Sequence, residues 1–123
     1  MRWRDVTAQL GEVRWPRQAA RTFESREQLA RELRRVQSPG ARVPAVDFSR
    51  SRLVLAAAGP RSSSGYGVRV LDVVERRGRV DVDVGEIAPL LGESGRSSLT
   101  FPYRLIALPA SDKPVFVRWE GHG

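Results

Sequence analysis

Residues 52–58 read Arg52-Leu53-Val54-Leu55-Ala56-Ala57-Ala58, and the six residues from Leu53 to Ala58 are the longest uninterrupted apolar run in the chain. That is the length of a strand, and its lack of alternation predicts a strand buried on both faces. It is far short of the roughly 20 residues a membrane helix needs. Downstream, a loop rich in Gly, Pro and Ser (Gly59 to Gly65) leads to Tyr66, Val68, Val70 and then Val73 or Val74, which set a second strand. Arg76-Arg77-Gly78 reads as a tight turn, with Gly78 expected to supply the positive φ of a hairpin. Val80, Val82 and Val84 then alternate with Arg79, Asp81 and Asp83. This period of two predicts a half-buried strand with its valines inward and both carboxylates in solvent. Pro89 to Ser98 is irregular, and Tyr103 to Leu108 and Pro114 to Trp119 read as two closing strands joined by a turn over 109–113.

Upstream of residue 40 the period is helical. Ser25 and Gln28 have capping-box spacing, and Leu29, Leu33 and Val36 follow at i, i+4 and i+7. Arg34 and Arg35 fall in the last turn, where cations suit the helix dipole, and Ser38-Pro39-Gly40 ends the element. A helix over 25–37 is expected. Residues 1–20, with Trp3, Trp15 and Pro16, read as a basic N-terminal arm or a short edge strand, and 21–119 as the folded unit. The fold class is therefore α+β: a single domain, mainly antiparallel sheet or a small sandwich of about five strands, with one N-terminal helix. Hairpin-length connectors argue against parallel βαβ units.

Composition limits the chemistry. The 123 residues contain no cysteine and one histidine, His122. Disulfides, thiolate metal sites and a cysteine nucleophile are excluded, and no internal Ser-His-Asp triad can form. Neither a metal nor a cofactor is expected. The net charge is +7, and it is lopsided: residues 1–52 carry twelve arginines against six acids, while the remainder is nearly balanced. An anionic partner, nucleic acid included, would find Arg2, Arg4, Arg14, Arg17, Arg21, Arg26, Arg34 and Arg35 in that half. No apolar stretch follows the charged start Met1-Arg2-Trp3-Arg4-Asp5, so the chain as written reads as cytoplasmic.

Ser62, Ser63 and Ser64 sit in the glycine-bounded loop and invite a nucleophile reading, but a serine needs a base, and no Ser-x-x-Lys spacing or available histidine supplies one. The same loop lacks the Gly-Lys-Ser ending of a phosphate-cradling P-loop. Asp81 and Asp83 share a strand face but read as a solvated surface, and Glu86 and Glu93 have no partner of known geometry. The chain is therefore expected not to be an enzyme.

Asp47-Phe48-Ser49, the strand to Ala58, Gly59-Pro60-Arg61-Ser62-Ser63-Ser64-Gly65-Tyr66, the valine hairpin, Thr100-Phe101-Pro102-Tyr103 and Leu108-Pro109 follow one another in the order of a known pattern. In it, Asp-Phe, a strand, Gly-x-Arg-x-x-x-Gly-Tyr, a hairpin, Thr-x-Pro and a closing strand succeed each other. The chain resembles the C-terminal domain of the PrcB family of protease-complex subunits, over about residues 22–118. The resemblance implies a non-catalytic binding or stabilising domain, exported or in the cell envelope, whose partner is another protein, such as a protease or envelope component. On that reading Arg61, Ser62, Ser63, Ser64, Gly65 and Tyr66 form the contact loop, with a second loop at 92–102 beside it. The Ser64-Gly65-Tyr66 tip also resembles the Thr-Gly-Tyr loop of chagasin-type cysteine-protease inhibitors, and Arg118-Trp119 their late Arg-Pro-Trp, though the Asn-Pro-Thr-Thr lead-in is missing.

Overall fold

The structure is a computed structural model that describes residues 1–89 and 97–120. The apolar run forms β3 of a four-stranded sheet. In chain order the first elements are β1 (Arg4–Asp5), α1 (Thr7–Leu10), β2 (Ala19–Phe23), α2 (Arg26–Arg35) and β3 (Ser51–Ala57). They are followed by β4 (Arg61–Ser63), β5 (Gly67–Glu75), β6 (Val80–Ile87), β7 (Ser97–Thr100), β8 (Tyr103–Pro109) and β9 (Val115–Glu120). The central sheet runs β1-β8-β3-β2, all antiparallel. A second sheet runs β5-β6-β9, and β4 and β7 make a separate two-stranded ribbon.

Because β3 and β8 lie in the middle, both of their faces are covered, and side-chain alternation feeds two cores. Leu53, Leu55, Ala57, Leu105 and Ala107 join Leu29 and Leu33 of α2 and Val6, Leu10, Val13 and Trp15 on one side. Val54, Ala56, Ile106 and Leu108 join Val68, Val73, Val80, Val82 and Val84 of the second sheet on the other. Each fully buried aliphatic side chain contributes about 2 kcal/mol of transfer free energy. The result is three layers: helical segments, central sheet, second sheet.

Local chemistry explains the helix. Ser25 caps it by accepting from Gln28 N–H at 3.1 Å, while the Gln28 side chain reaches back to Glu24 N–H at 2.6 Å. The capping box thus closes one residue earlier than its usual form. The helix ends in a Schellman motif: Ser38 N–H bonds Leu33 C=O, Gln37 N–H bonds Arg34 C=O, and Gln37 takes φ +54° where glycine is common. Trp15, buried against α2, donates its indole N–H to Glu32 at 2.9 Å and meets Tyr103 edge-on at 5.0 Å. Residues 1–20 are thereby built into the first core, with β1 at the sheet edge, and residue 20 marks no packing boundary.

Several expectations change. The described residues hold nine strands, not about five, because the short strands β1, β2, β4 and β7 have weak or polar patterns. The closing strands do not pair as a hairpin. β8 lies in the central sheet, and β9 pairs in parallel with β6, the intervening chain having crossed to the other sheets and back. Gly78 lies outside the left-handed region, and its turn closes through Arg76 N–H to Arg79 C=O at 2.8 Å. A bulge between Val70 and Asp72 turns Val73 into the core and leaves Val74 half-buried. The valines of β6 do face inward. Asp81, expected in solvent, is wholly buried: Arg76 Nε lies 2.6 Å from one oxygen and Arg79 Nε 3.1 Å from the other. The Arg76 hydrogen bond holds its carboxyl below the usual range despite desolvation. Asp83 is half-buried and forked by Arg118 at 2.7 and 3.2 Å. Alternation identified the outer face, but not that side chains from the turn and β9 would cover it.

Candidate functional site

The 59–67 segment is largely a ribbon, not an open loop. After β3 the chain turns at Gly59, whose φ of +84° few other residues adopt without cost. There the backbone passes so close to residues 17 and 18 that a Cβ would stand 3.0 Å from Gln18 N. Arg61 then pairs with Thr100 and Ser63 with Ser97, with an irregularity between. Thr100 Oγ1 donates to Ser63 C=O at 3.0 Å, and Ala58 N–H to Pro102 C=O at 3.0 Å. The two halves of the recognised pattern, the Gly-Tyr segment and Thr100-Phe101-Pro102, are thus each other's hydrogen-bond partners.

At the tip, Ser63 Oγ accepts Gly65 N–H at 3.0 Å, and Tyr66 N–H leans on Ser63 C=O at 3.4 Å. Gly65 sits against Pro89, where a Cβ would come within 3.0 Å of the proline ring. The tip is therefore held by backbone geometry. Arg61 does not reach out to solvent. Its guanidinium forks Glu86 of β6, through Nε to one oxygen and through NH2 at 3.0 Å to the other. The Glu86 hydrogen bonds raise its pKa. Because Glu86 is spent on Arg61, it is poorly placed to activate a nearby hydroxyl as a base.

The structure therefore divides the six residues proposed from sequence. Arg61, Ser63 and Gly65 hold the ribbon, Ser62 and Ser64 are exposed, and Tyr66 is partly buried. Leu99 of β7, not singled out from sequence, is 66% exposed. It falls in a segment that sequence could only describe as irregular. Of the second expected loop, residues 92–96 lie outside the described residues, as do Glu93 and His122.

The arginines of the N-terminal half do not form one patch. Arg35 is bound to Glu32 at 2.7 Å, and Arg14 contacts Glu12 at 3.4 Å and lies over the Phe101 ring. Arg2 and Arg4 line a hollow with Trp3 and Arg50, whereas Arg26 and Arg34 line a different one beside α2. Arg118 and Trp119 lie within β9, where Arg118 pairs with Asp83 and Trp119 packs on the second core, so they do not form a loop tip.

The PrcB C-terminal family model matches residues 52–109, and the resemblance read from the motifs holds over that stretch. The match runs from β3 through β8 and includes the ribbon; α2, the N-terminal segment and β9 lie outside it. No curated protein and no solved structure matches the chain.

Proposed function

We propose that this protein is a non-catalytic binding module, an accessory-type subunit that attaches to a protease or another envelope protein through the β4–β7 ribbon. The observation that carries the reading is the exposure of Leu99 beside Ser62 and Ser64 on a ribbon whose base is locked by Arg61–Glu86. A rigid scaffold presenting one large apolar side chain among small hydroxyls suits docking into a partner's pocket, with little ordering entropy to lose. The PrcB match over the same residues supports a protein partner and an exported or envelope setting. The absence of a usable base at Ser62 to Ser64 supports a module without hydrolytic activity.

Photo-crosslinking in the native host tests it. A photoreactive residue at Leu99 or Ser62 should capture one defined protease or envelope protein, and the same residue at Arg31 on α2 should not. Capture from Arg31 with equal yield, or no specific product from the ribbon, overturns the assignment.

A further inference from the structure

A groove of about 770 Å³ runs along α2. Arg26 and Arg34 stand on its helical wall, one stripe at i and i+8 with Ala30 between them, and Arg42 lines it from the segment after the helix. Ala30, Leu33, Ala41 and Val43 supply an apolar lining, and neither an acidic nor an aromatic side chain borders the groove. Among the described residues, Arg26, Arg34 and Arg42 have no acidic partner, in contrast to Arg35 one position on, which is tied to Glu32. Three like charges gathered around apolar surface without a counter-ion repel one another, and the arrangement gains from an anionic occupant.

We infer that this groove binds an extended acidic segment of a partner protein, its carboxylates forked by Arg26, Arg34 and Arg42 and its apolar side chains resting on Ala30, Leu33, Ala41 and Val43. The eight-residue separation of Arg26 and Arg34 is about 12 Å of helix. An extended segment covers that distance with about four residues, so alternate side chains reach the arginines and the lining. Guanidinium–carboxylate forks supply orientation, and the apolar contacts supply discrimination against simple anions. A nucleic-acid occupant fits less well, because no aromatic ring offers a stacking surface for bases. None of these groove residues belongs to the ribbon or to the 52–109 match, so the inference stands apart from the function proposed above.

Fluorescence anisotropy at about 0.1 M salt, where exposed long-range charge is largely screened, tests it with the full chain. The probe is a fluorescein-labelled peptide of about eight residues alternating glutamate and leucine, long enough to overrun the groove. Saturable binding is expected, weakened roughly tenfold or more by Arg26→Glu with Arg34→Glu, and by less than about twofold by Arg17→Glu with Arg69→Glu, a charge-matched change elsewhere. Should the first pair unfold the chain by circular dichroism, the single Arg42→Ala variant carries the comparison. Absence of saturable binding, or equal loss in both charge-reversed pairs, overturns the inference. So does equal or tighter binding of oligoglutamate, which would leave the apolar lining unused, or of a charge-matched oligothymidylate, which would point to nucleic acid.

Discussion

Replacing Gly59 by alanine tests the geometry on which the ribbon depends, and Gly78→Ala provides the contrast. At Gly59 the backbone has φ +84°, and an added Cβ would stand 3.0 Å from Gln18 N and 3.1 Å from Arg17 C, both backbone atoms. The left-handed conformation costs an alanine about 1 kcal/mol. Pushing back a chain that cannot rotate out of the way adds about 1–2 kcal/mol, in the range of overpacked cores. The expected loss is about 2–3 kcal/mol, which for a chain of this length lowers Tm by roughly 8–12 °C. At Gly78 nothing lies within 4 Å of the added carbon and φ is not left-handed. There alanine removes freedom from the unfolded chain and should stabilise by about 0.4–1 kcal/mol. Thermal and urea melts of both variants give the comparison, and crosslinking from Leu99 in Gly59→Ala shows whether the ribbon has shifted. If Gly59→Ala melts within about 2 °C of wild type, the contact between residue 59 and residues 17–18 is wrong, and the seating of the ribbon falls with it.

Three further outcomes are expected. Val82→Asp, at a position 1% exposed in the second core, should cost several kcal/mol and unfold much of the protein, whereas Asp83→Ala on the outer face should cost no more than about 1 kcal/mol; the reverse order in thermal melts would show that the register of β6 is off by one. Arg35 above all, with help from Trp15, lowers the pKa of Glu32 against the opposing effect of burial, so the stability this carboxylate contributes is complete above the ordinary glutamate value and is lost as pH falls through the depressed one. The difference in stability between wild type and Glu32→Gln should accordingly be largest near neutral pH and close on acidification below about pH 4.5; a difference that does not vary with pH in denaturant titrations followed by Trp15 fluorescence would refute the pairing. Gln37→Gly, at the left-handed helix end, should stabilise by about 0.5–1 kcal/mol in the same melts, and destabilisation would refute the Schellman geometry.

Much of the architecture was legible along the chain because its signals are local. The run Leu53 to Ala58 announced a strand covered on both sides, and that strand proved to be the shared wall of two cores. The capping residues and leucine spacing located α2 to within two residues at each end, and the alternation of Val80, Val82 and Val84 set the inward face of β6. The order of short motifs around Gly59–Tyr66 and Thr100–Pro102 pointed to the PrcB pattern that the match over 52–109 bears out.

What sequence could not supply was the identity of neighbours distant along the chain. The parallel pairing of β9 with β6 joins segments more than thirty residues apart through no local signal. Asp81 was readable as outward-facing, but its burial follows from Arg76 and Arg79 folding back over it. Likewise Arg61 looked like a free cation until Glu86, from another strand, took both faces of its fork. Period and capping are properties of a few consecutive residues, so the sequence by itself determined the elements and their inward faces. Whether a charged side chain meets solvent, a counter-ion or a partner depends on which elements the chain brings alongside it, and only the tertiary structure decided that.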